Sequence, residues 1–233
     1  MGLFWVGFGG IGLASLDRKT DRVTSYPQFD DLMVRAIHED YQGILWIGTK
    51  KGALYRFDPM TGQAESFPLN PTDPDDFSAG TIYAIYEDRQ HNIWLGTGNG
   101  GLVKMPRRPD GSLLEAPKHY LNDPNDPQTI TSNHVKYIYE DSEGILWIGT
   151  IGGLNRFDSR TEHFTRLTVR DGLPNNVIYG ILEDATGDFW LSTNNGISHF
   201  DPTKGVFRNF NVKDGLQGNE FNTGACYRGP KGK

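Results

Sequence analysis

Hydrophobic positions along this chain fall in short stretches rather than in long helical stripes. Apolar and polar residues alternate over 135–140, and a β-branched and aromatic stretch follows over 145–150. Two more short stretches, 154–157 and 164–167, follow, with turn-forming residues between all four. Alternation and β-branched content predict strands, and no segment carries a sustained 3.6-residue period with helix caps. We therefore expect four short strands here and almost no helix in the chain.

The tryptophans place this four-strand pattern in an internal repeat. They are spaced by 41, 48, 53 and 43 residues, a period found in architectures built from repeated supersecondary units. The five residues are Trp5, Trp46, Trp94, Trp147 and Trp190. We expect each of them to pack between neighbouring units.

Two further motifs recur in the same frame. A Trp-Ile-Gly-Thr, Trp-Leu-Gly-Thr or Trp-Leu-Ser-Thr sequence begins at each of the last four tryptophans, and a Glu-Asp pair precedes each of them. The pairs are Glu39-Asp40, Glu87-Asp88, Glu140-Asp141 and Glu183-Asp184. A pair that recurs in every unit at the end of a strand favours a structural role, so we expect the Asp side chain to hold the turn by hydrogen bonds.

A four-stranded unit of this length with a fixed tryptophan and glycine is typical of a β-propeller blade. We therefore predict an all-β fold, a β-propeller of four-stranded antiparallel blades that forms a single domain over 1–233. The expected repeats are 1–30 together with 217–233, 31–76, 77–128, 129–172 and 173–216.

The two ends of the chain predict how the first blade is completed. Gly2 precedes Trp5 by the same three residues as its counterparts in later repeats, so the first repeat lacks its first strand. Residues 219–227 have the pattern of one more first strand, and 230–233 have the composition of the following turn. We expect 219–227 to pair with 2–7 and to close a five-bladed ring within one chain. The alternative is an assembly in which blades of two chains complete a larger ring, because unpaired strand edges favour association.

Charge and cysteine content narrow the classes of partner. The formal net charge of −6 and the lack of a basic cluster favour neither nucleic acid nor anionic lipid, so we expect no nucleic-acid partner and no membrane contact by this segment. The single cysteine, Cys226, allows no internal disulfide and is expected to be a buried thiol. The amino terminus has no basic region followed by a long apolar run, so no export signal is expected in this stretch.

The repeated elements resemble the two-component regulator propeller family, found in sensor regions of bacterial hybrid histidine kinases and related signalling proteins. The Trp-Ile-Gly-Thr and Gly-Leu-Asn-Arg-Phe-Asp elements carry the resemblance, together with the connectors 122–133, 171–176 and 214–222. The resemblance implies a periplasmic, non-enzymatic role in signal transduction. It also implies that the chain is a fragment, or a relative, of a larger sensor protein.

Other motifs favour no catalytic or cofactor chemistry. Two Gly-x-Gly-x-x-Gly segments, 7–12 and 96–101, precede predicted strands rather than helices, so they are expected to be turns and not dinucleotide sites. The six histidines have no metal-ligand spacing, and residues 141–144 lack the ligand series of a calcium loop. No nucleophile elbow or triad context is present. We therefore assign no catalytic residue, no metal and no cofactor.

A candidate ligand site follows from the frame, since the first strand of a propeller blade lines the axis and loops on a rigid scaffold carry recognition. The position eleven residues before each of the last four tryptophans varies while its neighbours repeat. It holds Arg35, Tyr83, Lys136 and Tyr179, and the residues preceding the first strands add Asn133, His134, Asn176 and Asn219. Amides, aromatic rings and cations suit a small polar ligand such as an oligosaccharide.

Three functions stay open at this point. The leading hypothesis is a non-enzymatic sensory propeller that binds a small polar ligand or a partner domain at this face. The second is a structural or protein-interaction module without a ligand of its own, which self-associates through blade edges. The third is a lyase, which requires a histidine paired with an acid on one face, and His134 is the histidine in question.

Overall fold

The computed structural model describes residues 3–10, 12–67, 69, 79–108, 112, 116–224 and 226–227. Within these residues, nineteen strands form five antiparallel sheets, and helical backbone is limited to two short 3-10 turns, Pro27–Phe29 and Val212–Asp214. The expectation of an all-β propeller with almost no helix is confirmed. Chain contacts divide the molecule into two compact units, residues 1–99 with 103–118 and residues 100–102 with 119–233.

The first unit begins with a three-stranded sheet, blade 1, and continues with the four-stranded blade 2. Blade 3 follows, and the boundary between the units passes through its sheet. The strands are β1 (Leu3–Phe8), β2 (Gly12–Asp17), β3 (Arg22–Tyr26), β4 (Val34–Glu39), β5 (Leu45–Thr49), β6 (Leu54–Phe57), β7 (Ala64–Phe67), β8 (Ile82–Glu87), β9 (Ile93–Thr97), β10 (Leu102–Met105) and β11 (Lys118–Tyr120).

The second unit contains blades 4 and 5, each with four strands in chain order. Blade 4 consists of β12 (Val135–Glu140), β13 (Leu146–Thr150), β14 (Leu154–Asp158) and β15 (His163–Leu167). Blade 5 consists of β16 (Ile178–Glu183), β17 (Phe189–Thr193), β18 (Gly196–Asp201) and β19 (Val206–Phe210). The predicted strands of the third full repeat agree with β12–β15 to within one residue at each end.

The tryptophans of blades 2 and 4 pack between blades, as expected. The expectation is wrong for Trp190 of blade 5, which is exposed and lies against His199 and Phe210 of its own blade. Trp46 lies in a buried cluster with Ile82 and Leu95 of blade 3, and Trp147 lies in one with Ile178 and Phe189 of blade 5. Burial of such aromatic and aliphatic side chains is the main stabilising contribution to a repeat architecture, because each blade covers the apolar face of its neighbour.

The glycine two residues after the tryptophan has a packing role. A Cβ at Gly48 would lie 2.6 Å from Cγ2 of Ile82, the first residue of the next inner strand, β8. At Gly149 it would lie 2.8 Å from the equivalent atom of Ile178. The close approach of one blade to the next therefore requires glycine, and blade 5 has Ser192 at this position.

The expected closing strand over 219–227 is not present among its described residues. Blade 1 has three strands in this part of the chain, and residues 219–224 and 226–227 form turns and irregular backbone. The structural pattern of the repeat continues as far as Asn219, whose backbone carbonyl oxygen accepts the Gly196 N–H at 2.7 Å. Beyond it, Gly224 has a left-handed φ of 74°, which interrupts an extended strand. The expected turn at 230–233 and its match to Gly2 lie outside the described residues.

Candidate functional site

The four positions that vary between blades share one local geometry. In β4 the antiparallel register shifts between Val34 and Ala36, which leaves Arg35 as the extra residue of a β-bulge. The same shift occurs in β8, β12 and β16. It leaves Tyr83, Lys136 and Tyr179 as the extra residues. A β-bulge changes the direction of a side chain, and bulges are over-represented beside functional sites. The four positions that vary in sequence are therefore also the four positions at which the backbone leaves the regular ladder.

The bulge residues belong to different units. Arg35, which is exposed, and Tyr83, which is half-buried, lie in the first unit. Lys136 and Tyr179 are half-buried and lie in the second unit. Their strands, β12 and β16, contact each other, so these two occupy equivalent positions on neighbouring inner strands. Six of the eight predicted site residues are in this second unit.

Three predicted site residues also hold the scaffold of the second unit. The side-chain oxygen of Asn133 accepts the backbone N–H of Asn122 at 2.6 Å. Asn176 and Asn219 make the same kind of bond, at 2.9 and 3.0 Å. Their donors are the backbone N–H groups of Val169 and Val212. In each case the asparagine fastens the loop that leaves the preceding blade, so its carbonyl oxygen is already used.

His134 lies just before β12 and is half-buried. Burial lowers the pKa of its imidazole, and the nearby charge of Lys136 lowers this pKa further. Both effects favour the neutral ring at neutral pH. The charge that shifts the pKa of His134 thus belongs to a cation, whereas an acid–base pair requires a carboxylate.

The carboxyl-terminal segment borders the same inner strands. The Cys226 thiol lies 3.5 Å from the Tyr137 hydroxyl, and a Cβ on Gly180 would lie 2.7 Å from the Cys226 sulfur. Tyr137 and Gly180 directly follow the bulge residues of β12 and β16. Cys226 is half-buried rather than fully buried. Cys226 thus lies against the residues that follow the bulges of β12 and β16.

The recurring Asp side chain holds its turn, as expected, and it also binds the tryptophan. In blade 2, Oδ1 of Asp40 accepts the backbone N–H groups of Gln42 and Ile44, and Oδ2 accepts the Trp46 indole N–H at 2.9 Å. The same Asp–Trp bond recurs at 2.7 Å in blade 3, 2.8 Å in blade 4 and 3.3 Å in blade 5. We call this unit the Asp–Trp turn. The indole bond was not predicted, although the constant spacing of six residues was its signal.

The glutamate of the pair links neighbouring blades. Glu87 of blade 3 accepts the backbone N–H of Tyr41 in the turn of blade 2 at 2.9 Å. Glu183 of blade 5 accepts the N–H of Ser142 in the turn of blade 4 at the same distance, and also the Tyr139 hydroxyl at 2.8 Å. The Glu-Asp pair is therefore a structural device that serves two blades at once.

The Asp–Trp turn of blade 2 is completed by a buried arginine from blade 3. Arg107 donates to Asp40 Oδ2 at 2.9 Å and to Gln42 Oε1 at 3.0 Å, and its guanidinium lies 5.2 Å from the centre of the Tyr41 ring. Both charged side chains of this pair are fully buried. Burial raises the pKa of Asp40, but the bond from Trp46, the bond from the Ile44 N–H and the Arg107 charge together lower it below its usual value.

The Asp–Trp turn of blade 5 has a different surrounding. Trp190 is 40% exposed, against 1% for Trp46. His199 of β18 lies opposite Trp190 in the sheet. Its Nε2 lies 3.4 Å from Asp184 Oδ2 and 3.5 Å from Asp188 Oδ2. One imidazole and two carboxylates thus meet beside an exposed indole.

A cleft of about 700 Å³ separates blades 4 and 5 at the ends of their inner strands away from the bulges. Trp147, Arg156, Glu183 and Phe200 are among its lining residues. The Glu183 carboxylate in this cleft already accepts the bonds from Ser142 and Tyr139 described above. The cleft is therefore a groove around a structural bond, and the sequence frame did not predict it.

The repeats can now be compared with known families. The model of the two-component regulator propeller matches residues 28–51, 76–99, 129–152 and 172–195. Each match contains an inner strand and the tryptophan strand that follows it. The chain belongs to the two-component regulator propeller family. The family resemblance of the sequence motifs is confirmed.

Solved structures with the same propeller fold include an extracellular domain of a two-component system. The extracellular domain of a putative hybrid two-component system from B. thetaiotaomicron is 25% identical over 94% of this chain, with a TM-score of 0.75. The chain spans 28% of the length of that structure. A search of curated proteins gave no match.

Two more distant structures share the fold alone. PorZ, a surface component of the type-IX secretion system of Porphyromonas gingivalis, is 15% identical over 94% of this chain and 34% of its own, with a TM-score of 0.72. Virginiamycin B lyase from Staphylococcus aureus is 17% identical over 90% of this chain and 66% of its own, with a TM-score of 0.65.

In the described part of the propeller, no helix is long and apolar enough to cross a membrane.

Proposed function

We propose that this propeller is a non-enzymatic sensory segment of a periplasmic signalling protein, and that its second unit binds a small polar ligand such as an oligosaccharide. The site is the start of β12 and β16, where Lys136 and Tyr179 are the bulge residues. One observation carries the proposal: the position whose residue varies between otherwise repeated blades is also the position of the extra, unpaired residue of a β-bulge. The bulge has the same geometry in four blades, but its side chain differs from blade to blade. A structural role alone does not account for this combination.

The chemistry of this position suits a polar ring-shaped ligand. A tyrosine ring offers a stacking face and a hydroxyl, and a lysine ammonium offers three hydrogen-bond donors. Asn133 and Asn176 use their side-chain oxygens in the scaffold, and their amide N–H groups are hydrogen-bond donors of the kind that such a ligand accepts. Hydroxyl-rich ligands accept from such donors, so the set favours a neutral or weakly anionic sugar.

The sensory and periplasmic assignment rests on family membership and on the extracellular sensor domain with the same fold. A lyase function is disfavoured, although one structure of similar fold is a lyase. Acid–base chemistry at His134 requires a neighbouring carboxylate, and the charge that lowers the pKa of His134 belongs to Lys136.

Thermal unfolding against a panel of glycans and small metabolites tests the proposal. A ligand that binds only the folded state raises the melting temperature, and one present at 100 times its Kd stabilises by about 2.7 kcal/mol. We expect at least one compound to raise the melting temperature of the parent chain. Its affinity should fall at least tenfold in Lys136→Ala and Tyr179→Ala.

Arg160→Ala is the matched control, because Arg160 is an exposed cation in the β14–β15 turn of the same unit. The shift should be retained in this variant. If no compound at millimolar concentration shifts the melting temperature, or if the shift survives both bulge substitutions, the ligand-binding proposal fails.

The second candidate function, an interaction module, is favoured by the exposed edge of blade 1. Strand β1 is an edge of its described sheet, and four of its six residues, Leu3, Phe4, Val6 and Phe8, are exposed large hydrophobic side chains. Exposed apolar edges are templates for pairing with another chain. Light scattering over a concentration series tests this function, and concentration-dependent dimers that disappear in Phe4→Lys would favour it over a ligand sensor.

A further inference from the structure

The cluster beside Trp190 differs from every other Asp–Trp turn in its chemistry. It combines the Asp184 and Asp188 carboxylates with the His199 imidazole, and one potential ligand atom from each lies within 4.8 Å of the others. The three side chains are partly exposed, at 25–27%. An open coordination position toward solvent is therefore available.

The two separations from His199 match those of ligands around one tetrahedral metal ion. Zinc binds histidine nitrogen and carboxylate oxygen at about 2.0–2.2 Å, so two ligand atoms at the tetrahedral angle lie about 3.3–3.5 Å apart. His199 Nε2 lies 3.4 Å from Asp184 Oδ2 and 3.5 Å from Asp188 Oδ2. Both distances exceed those of a strong charged hydrogen bond, which are about 2.7–2.9 Å.

Two substitutions within the internal repeat create this donor set. The position two residues before the tryptophan holds Asp188 in blade 5, whereas it holds Ile44, Asn92 and Ile145 in blades 2–4. The position opposite the tryptophan in the sheet holds His199, where blades 2 and 4 have Arg56 and Arg156. At these two positions blades 2 and 4 have an isoleucine and an arginine, neither of which binds a metal ion. Blade 5 has a carboxylate and an imidazole, which do.

The common ligand of the cluster is also held differently. Asp184 Oδ2 accepts the indole N–H at 3.3 Å, whereas the other three Asp–Trp bonds are 2.7–2.9 Å. Oδ1 of Asp184 meanwhile accepts the backbone N–H groups of Thr186 and Asp188, which fixes the orientation of the carboxylate. One oxygen is therefore fixed in the turn, while the other faces His199.

We propose that Asp184, Asp188 and His199 bind one zinc ion on blade 5, with water in the remaining coordination position. A set of one nitrogen and two oxygen atoms favours zinc over magnesium and calcium, which take six or more oxygen ligands. The proposal is independent of ligand binding at the bulges, because Asp184 and Asp188 lie in the β16–β17 turn, at the opposite end of β16 from its bulge, and His199 lies in β18. The competing account is that His199 lies between the two carboxylates and bonds to them directly, without a metal.

Calorimetric titration of the metal-free full chain with zinc chloride tests the site. We expect saturable binding of one ion per chain, and we expect neither magnesium nor calcium to compete at a hundredfold excess. Substitution of cobalt for zinc should give the strong visible absorption of a tetrahedral nitrogen–oxygen site. Zinc should also raise the melting temperature.

The variants Asp188→Asn and His199→Asn should each weaken zinc binding at least tenfold and abolish the cobalt spectrum. They leave the turn bonds of Asp184 in place, so both chains should fold, which circular dichroism verifies. His163→Asn and Cys226→Ser are the matched controls, since they remove an exposed imidazole and the single thiol elsewhere in the second unit. Unchanged zinc affinity in both cluster variants, or no saturable uptake by the parent chain, would overturn the proposal.

Discussion

The Asp–Trp turns of blade 2 and blade 5 start from the same local motif and end in opposite environments. In blade 2 the neighbouring blade covers the tryptophan, and Arg107 enters to neutralise Asp40. In blade 5 the tryptophan is 40% exposed, and His199 and Asp188 of the same blade surround Asp184. The comparison shows that the motif itself specifies only the turn. The residues that reach its second carboxylate oxygen decide whether it becomes part of the core or a potential binding site.

The difference has an energetic side. A fully buried ion pair has lost its hydration and depends on its partner, whereas a partly exposed pair is solvated and contributes little to stability. The turn of blade 2 should therefore be sensitive to substitution and the turn of blade 5 tolerant of it. Tolerance is what allows blade 5 to carry unusual side chains.

The largest expected effect is the loss of the buried arginine. Arg107→Ala should lower the free energy of unfolding by about 3–5 kcal/mol, because it leaves the Asp40 carboxylate buried without its cation. In contrast, His199→Ala should change it by about 1 kcal/mol or less. Urea unfolding followed by tryptophan fluorescence measures both values. Equal losses in the two variants would contradict the contrast between the blades.

An intermediate effect is expected where the blades approach closely. Gly48→Ala should cost about 1–3 kcal/mol, because the new methyl group meets Ile82 of the next inner strand. Ser192→Ala, at the equivalent position of blade 5, should stay within about 0.5 kcal/mol. The same unfolding measurement compares them, with Gly205→Ala as a control for left-handed backbone that has open space around it. A cost at Ser192 as large as that at Gly48 would be inconsistent with this role of the glycine.

The smallest expected effect is the pH dependence that His38 of blade 2 contributes to stability. His38 lies opposite Trp46, and burial lowers the pKa of its imidazole more than Glu87 raises it. Because the folded pKa lies below the unfolded value, the unfolded chain binds more protons. Stability is then fully present above about pH 6.5 and falls as the pH drops toward the lowered pKa.

His38→Leu introduces the residue that blade 5 has at the equivalent position, Leu182. This variant should reduce the slope of the stability profile between pH 7 and pH 5, as measured by urea unfolding at a series of pH values. His163→Leu, which removes an exposed imidazole, should leave the slope unchanged. An unaltered slope in His38→Leu would exclude His38 as its source.

The strands could be predicted because their signals are local. Alternation over 135–140 and the turn residues at 141–144 and 152–153 specify a hairpin by themselves, and β12 has the predicted bounds. The terminal strand over 219–227 had a similar pattern but is not formed in its described residues. Gly224 has a left-handed backbone conformation there, and Cys226 packs beside Gly180 of blade 5. Neither feature can be read from the alternation of residues along the chain.

The candidate site was predictable in part for the same reason. Counting from the tryptophans identified Lys136 and Tyr179, since equivalent positions in a repeat share a frame. That both are bulge residues depends on cross-strand register, which the spacing does not contain. The scaffold bonds of Asn133 and Asn176 likewise join loops that the sequence shows only as separate segments.

The amino-acid sequence by itself determined the family, the blade pattern and the Asp–Trp turns, because all of these depend on residues within a few positions of one another. Tertiary structure alone decided which turn receives Arg107 and which receives His199. Arg107 is 67 residues from Asp40 along the chain, and His199 reaches Asp184 through the pairing of β17 with β18. Contacts of this kind depend on the packing of blades and the register of strands. Neither can be predicted from short-range sequence patterns.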